Sequence, residues 1–133
     1  MNKLYVYDID SSIGRLTLWS NGTALIGLAF PGEHEAPVQA RGLAAERARG
    51  PFTAVIAELE AWFAGRRREF TVPLTPQGTP FQLRVWEALR AIPFGTTISY
   101  GELAKRIGQP KAMRAVGGAN RRNPIPLIVP CHR

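Results

Sequence analysis

The chain has 133 residues, 45% of them apolar, and a formal net charge of +7, which is enough for one compact domain or two small ones with real cores. No uninterrupted apolar run of about 18 residues is present, so no transmembrane helix is read. Met1 to Tyr5 leads into an acidic alternating segment without an apolar h-region, so no secretory signal is read. The single cysteine excludes an internal disulfide and fits a reducing, cytoplasmic compartment, and one Cys with two His leaves too few ligands for a closed structural zinc site.

Leu4 to Tyr7, Ile13 to Trp19 and Leu25 to Phe30 are rich in strand formers and read as three short strands of an antiparallel meander. Ser11-Ser12 and Asn21-Gly22 supply the turns. In the second strand Ile13, Arg15, Thr17 and Trp19 share one face, and Leu16 and Leu18 the other. Residues 31–50 are polar, with Pro31-Gly32 and Pro37, and read as a loop. From Pro51, the spacing of Phe52, Val55, Ile56, Leu59, Trp62 and Phe63 predicts a helix that Gly65 ends. Arg66-Arg67-Arg68 then falls in the last turn, where cations suit the helix dipole. A solvated helix end explains that triplet more simply than a binding patch.

Residues 73–78 carry two prolines and a glycine between periodic segments and read as a linker. The fold class is therefore α/β: an N-terminal α/β domain over 1–75 (three-stranded antiparallel sheet plus helix), then a mainly helical domain over 76–133. Thr79-Pro80-Phe81-Gln82 is a capping box that opens a helix with Phe81, Val85, Trp86 and Leu89 inward, stopped by Pro93 and Gly95. Ser99-Tyr100-Gly101-Glu102 reads as a second box, opening a short helix with Leu103, Ala104 and Ile107 inward, closed by Gly108. A further helix runs from about Lys111 to about Asn120, with Met113, Val116 and the alanines available for packing. Two short helices around a Gly-containing turn read as helix-turn-helix. After Asn123-Pro124, the apolar run Leu127-Ile128-Val129 reads as buried.

The charge is segregated. Up to Thr75, eight Lys and Arg face eight Asp and Glu; from Pro76, nine Lys and Arg face only Glu87 and Glu102. A basic half beside a neutral half points to a polyanionic partner, nucleic acid first. In the second helix of the helix-turn-helix, Ala112, Ala115, Gly117, Gly118 and Ala119 leave little side-chain bulk. That permits close approach to another surface, or tight helix packing. Arg114 is the long side chain among them, and Arg121 and Arg122 follow, placed for phosphates. Small residues with one projecting Arg suit a groove binder that inserts a side chain into the base stack. Cys131, the only thiol, stands between Pro130 and His132. A lone Cys is commonly a small core residue, but an imidazole or positive field nearby would generate the nucleophilic thiolate. Neighbouring side chains on an extended segment point apart, so a water between Cys131 and His132 is as open as a direct contact.

Asn123-Pro124-Ile125-Pro126-Leu127-Ile128-Val129-Pro130-Cys131-His132-Arg133 resembles the active-site signature of the O6-alkylguanine-DNA alkyltransferases. Arg114 to Asn120 and Thr97 to Ala104 resemble that family's recognition helix and first helix, and Phe81 to Pro93 the helix before them. From Thr79 to Arg133 the match is close; earlier, only the layout is similar. The resemblance implies direct transfer of an alkyl group from O6-alkylguanine, or O4-alkylthymine, in double-stranded DNA to Cys131, once per molecule, by a monomer with no cofactor. It implies that His132 takes the thiol proton through a water, that Asn123 holds the turn at the active site, and that Tyr100 rotates the target nucleotide and protonates the departing guanine. Arg114 would fill the gap left by the flipped base, and the helix around Ala112, Ala115 and Gly117 would lie in the minor groove. Members of the family continue past this motif with a pocket-closing loop, a Glu partner for the histidine and a last helix. A chain ending at Arg133 is therefore expected to bind DNA but to be less stable and to transfer poorly.

Three other readings compete: a non-catalytic binder of alkylated or ordinary DNA, a helix-turn-helix regulator, and a thiol hydrolase. The last would need its His from a distant segment, and His34 in a polar loop is a poor candidate.

Overall fold

The computed structural model describes residues 3–32, 44–93 and 95–129. The chain divides into two compact units, Met1–Gln77 and Gly78–Arg133. His34 and Pro37 of the sequence-predicted loop lie outside the described residues.

In the first unit, β1 (Leu4–Ser11), β2 (Gly14–Ser20) and β3 (Leu25–Ala29) form the predicted antiparallel meander. At the first turn the Ser11 hydroxyl donates to the Gly14 carbonyl at 2.6 Å, and Gly14 takes a left-handed φ of 108° that suits a residue without Cβ. At the second, the Asn21 side-chain oxygen accepts from the amides of Thr23 and Ala24, both at 2.9 Å, the local bonding that makes Asn a turn residue.

The sheet has four strands, not three. β4 (Ala45–Arg47) pairs in parallel with β1, giving the order β3-β2-β1-β4. Three residues are too few to show a hydrophobic period, so the sequence reads as loop there. The strand is held by its pairing with β1 and by Ala45 against the core cluster, with Arg47 donating to Asp8 of β1 at 2.7 Å and Lys3 pairing with Glu46 at 3.0 Å beside them. The Arg47 hydrogen bond, with a second from Thr17, holds the Asp8 carboxyl below the usual range against its partial burial. Trp19 is buried although it alternates with Leu16 and Leu18, because Leu4, Ile26 and Ala29 form a cluster with it. The outer edge of β3 is met by residues 73–75, where Leu25 exchanges backbone hydrogen bonds with Pro73 and Thr75.

A turn of 3-10 helix, Gly50–Phe52, leads into α1 (Thr53–Phe63). Phe52, Val55, Ile56 and Leu59 are buried, as their spacing predicts, and the Phe52 ring stacks 6.4 Å from Tyr7 of β1. The arginine triplet is not in the last turn. The helix ends at Phe63, Gly65 takes φ 75°, and the chain turns away before the arginines.

Arg67 then folds back to pair with Glu58 at 2.9 Å. Glu58 also accepts from the Thr71 hydroxyl and from the amides of Thr71 and Val72. Burial pushes the Glu58 carboxyl up, but these hydrogen bonds and the Arg67 charge outweigh it and hold the group below its ordinary value. One carboxylate therefore ties α1 to residues 67–72.

In the second unit, α2 (Pro80–Arg90), α3 (Tyr100–Arg106) and α4 (Met113–Arg121) pack around Val85, Trp86, Leu89, Leu103, Val116 and Ile125. The Thr79–Gln82 capping box is complete, with reciprocal bonds of 3.0 and 3.1 Å. The box at Ser99 is half made. Its hydroxyl accepts from the Glu102 amide at 3.0 Å, but the Glu102 carboxylate turns toward Arg106 at 3.7 Å. Gly108, at φ 79°, ends α3 one residue past its cap. Ile107, at that cap, is only half-buried, and Met113, expected in the packing, is 53% exposed at the first position of α4.

Because the Glu58 carboxyl lies low in the folded state, its contribution is present above the unfolded pKa and is lost as pH falls through the folded one. Glu58→Gln is expected to lower the stability of the first unit by about 1–3 kcal/mol at pH 7. The difference from wild type should shrink below about pH 4. Urea unfolding of both proteins from pH 7 to pH 3 checks this; a difference independent of pH would contradict the role given to Glu58.

Candidate nucleic-acid interface and active site

α4 carries different chemistry on its two sides. Val116, Gly117, Ala119 and Asn120 are buried. Arg114, Ala115 and Arg121 are exposed, Arg122 caps the helix in the open, and Gly118 is half-buried. At about 100° per residue, Gly118 lies at the middle of the outer arc, with Arg114 and Arg121 on one flank and Ala115 and Arg122 on the other. A Cβ placed on Gly118 would meet nothing within 4 Å. The outer surface of α4 is thus backbone at its centre and guanidinium at its edges.

The inner side holds α2 and α3. The Trp86 indole N–H donates to the Ala119 carbonyl at 2.8 Å in the buried interior. Tyr100, the first residue of α3, lays its ring on Gly117, where a Cβ would come within 3.2 Å of Cε2. Asn120 Nδ2 donates to the Tyr100 hydroxyl at 3.1 Å. Tyr100 is half-buried, so its hydroxyl lies at the margin of the core.

Beyond α4 the chain is held by Asn123. Its side-chain oxygen accepts from the Ile125 amide at 2.9 Å, and its Nδ2 donates to the Val129 carbonyl at 2.6 Å. The Val129 amide also donates to the Ile125 carbonyl at 2.9 Å. Ile125, Ile128 and Val129 are buried, while Leu127 is half-buried and carries the only positive φ, 78°, among the described non-glycine residues.

The sequence-predicted site residues divide accordingly. Tyr100 meets the inner side of α4, and Asn123 spans the loop that leads toward Cys131. Arg114, Ala115, Arg121 and Arg122 are exposed, and Ala112, the N-cap of α4, is half-buried. Gly117 faces inward against Tyr100 rather than outward, and the open glycine is Gly118. Cys131 and His132 lie outside the described residues. Sequence reasoning missed Asn120. Its signal was available: a polar residue on the inward stripe Val116, Ala119, Asn120 must find a partner when buried.

Among the described residues, no group of three or more His, Cys, Asp or Glu is placed to hold a metal ion. No helix among them is long and apolar enough to cross a membrane.

Comparison with known proteins gives this arrangement a context. Residues 4–76 match the family domain described as 6-O-methylguanine DNA methyltransferase, ribonuclease-like domain, and residues 80–133 that family's DNA binding domain. The chain is 45% identical over 130 residues to a methylated-DNA–protein-cysteine methyltransferase of Mycobacterium leprae, covering 98% of this chain and 77% of the relative. A protein of the same name from Methanosarcina acetivorans is 63% identical over 76 residues, 57% of this chain and 49% of the relative. The crystal structure of the Mycobacterium tuberculosis O6-methylguanine methyltransferase superposes with a TM-score of 0.87 at 46% identity, covering 98% of this chain and 77% of that one. The crystal structure of Mycobacterium tuberculosis OGT in complex with DNA gives 0.86 at the same identity, covering 97% and 77%. With both parts of the chain matched, this protein belongs to the 6-O-methylguanine DNA methyltransferase family.

Proposed function

We propose that this protein repairs DNA by moving an alkyl group from O6 of guanine, or O4 of thymine, in duplex DNA onto its own Cys131, once per molecule. The observation that carries this reading is the family match over both parts of the chain, which includes Pro130-Cys131-His132-Arg133 and the only thiol.

In this reading the thiol proton of Cys131 passes through a water to His132. The sulfur forms a bond to the alkyl carbon while the bond from that carbon to the base oxygen breaks, a direct displacement needing no cofactor. Guanine is a poor leaving group as an anion, so it takes a proton from Tyr100 as it departs. The proton on His132 balances that loss: in sum, a hydrogen replaces the alkyl group on the base, and a thioether replaces the thiol. Because a thioether is not hydrolysed, each molecule acts once.

DNA binding falls to α4. The bare centre at Gly118 lets the helix backbone approach a minor groove, Arg114 supports the extruded nucleotide, and Arg121 and Arg122 meet phosphates. Asn123 holds the loop before the nucleophile, with Ala112 and Ala115 keeping the approaching end of α4 slim. The reading takes the protein as a monomer, and a single working thiol fits the reducing cytoplasm. The boundary between the two domains falls at residues 75–76 in this reading.

In a form of the protein that carries the family's tail after Arg133, incubation with an O6-methylguanine duplex is expected to add one methyl mass, mapped to Cys131 and abolished by Cys131→Ala. A label on another residue would overturn the assignment.

Two substitutions separate the parts of α4. Arg114→Ala should slow repair of duplex DNA roughly tenfold or more, since extrusion costs a few kcal/mol, and leave reaction with free O6-benzylguanine nearly unchanged. Equal losses on both substrates would contradict its role. Gly118→Leu should raise the melting temperature, because Gly is about 1 kcal/mol worse than a good helix former. The same change should weaken duplex binding by at least about tenfold, or 1.4 kcal/mol. Unchanged duplex affinity would show that this face does not meet DNA.

A further inference from the structure

We infer that Asn120 is a positioning residue that makes the Tyr100 hydroxyl a committed proton donor in alkyl transfer. The inference rests on the proposed role of Tyr100 and goes beyond it in naming what sets the direction of the proton.

A phenol oxygen can donate one hydrogen bond and accept others, and its O–H rotates to suit its surroundings. At Tyr100 one choice is removed. Asn120 Nδ2 donates to the hydroxyl oxygen at 3.1 Å. A nitrogen that is donating cannot accept in return, so the Tyr100 hydrogen points elsewhere. The Cδ2 and Cε2 edge of the ring lies beside Gly117, which keeps the hydroxyl close to α4 and to Asn120.

Asn120 is itself fixed. It is 5% exposed, and the neighbouring Ala119 carbonyl is anchored by the Trp86 indole at 2.8 Å. The amide donor therefore stands on a backbone tied to the core. Tyr100 is half-buried, so the direction left for its hydrogen is away from the core. Accepting a hydrogen bond also polarises a hydroxyl and strengthens it as a donor. Both effects favour delivering a proton to a departing base.

The test is a double-mutant cycle on single-turnover methyl transfer from an O6-methylguanine duplex, with duplex affinity and melting temperature measured for every variant. Asn120→Leu is expected to slow transfer roughly three- to tenfold, the worth of one hydrogen bond. It should leave duplex affinity within about twofold and have no further effect in the Tyr100→Phe background. A contribution that merely props up the helix would slow both backgrounds equally, and that result would overturn the inference while leaving the proposed function intact. Asn120→Asp keeps the size and reverses the polarity, since a carboxylate accepts the phenol hydrogen. It should slow transfer more than Asn120→Leu, and it decides the matter if the Leu variant does not fold. Transfer by Asn120→Asp at the wild-type rate would also overturn the inference. If Tyr100→Phe transfers as fast as wild type, the donor role of Tyr100 falls and this inference with it. If the wild type transfers nothing, the proposed function falls first.

Discussion

The contact of the Tyr100 ring with Gly117 sets the terms for the rest of the second unit. A Cβ at residue 117 would stand 3.2 Å from the ring and would press it back by a few tenths of an ångström, so the bare backbone of α4 lets the first residue of α3 lie close at that point. The same helix must admit the Trp86 indole at Ala119, two residues on, and hold Asn120 within reach of the Tyr100 hydroxyl. Its outer side stays thin at Gly118, which is what the proposed approach to a groove would need. Adjacent glycines, 117 and 118, each cost about 1 kcal/mol of helix propensity. That cost is offset by burial of Val116 and Ala119 and by the indole hydrogen bond. One glycine serves the core and the other the surface, so neither can be exchanged for the sake of helix stability without cost to packing or to access.

The two units handle charge in opposite ways. In the first, Lys3 pairs with Glu46, Arg15 with Asp10, Arg47 with Asp8 and Arg67 with Glu58. These pairs are internal and close the unit upon itself. In the second, Glu87 and Glu102 are the only acids, and Glu102 is drawn to Arg106. Arg114, Arg121 and Arg122 gather on the exposed side and end of α4. Concentrated positive charge destabilises a compact domain through self-repulsion, and a polyanion relieves it. In the proposed reading the charge placed on α4 serves binding and not folding.

What the sequence disclosed follows from length and period. The meander, α1 and α2 are long enough to show alternation or helical spacing, and Thr79 to Gln82 spells its cap in four residues. β4 has three residues, and its partners, β1 in the sheet and Asp8 for Arg47, lie far off in the chain, the latter 39 residues away, where no local pattern announces them. The Ser99 box failed on its second half because Glu102 had a better electrostatic partner one turn on, at Arg106. Gly117 and Gly118 are identical in sequence and opposite in role. Helical phase could have told them apart, since Val116 and Ala119 mark the buried side. Asn120 sits on that buried side, yet its value depends on Tyr100, which belongs to another helix.

The loop after α4 is held in one conformation without regular secondary structure. Leu127 at φ 78° is in a region that costs a non-glycine residue roughly 1–2 kcal/mol. The conformation persists because its neighbours over-determine it. Asn123 grips both ends of the stretch, at the Ile125 amide and the Val129 carbonyl, and Ile125, Ile128 and Val129 are buried around it. Relieving Leu127 by rotation would break the Val129 bonds and expose these side chains, a larger loss than the strain itself. The strain therefore marks a loop that cannot slide in register. Cys131 follows Val129 by two residues in the chain, with a proline between that fixes its own φ. A thiol that must meet an alkyl carbon in line gains from such a fixed point of departure.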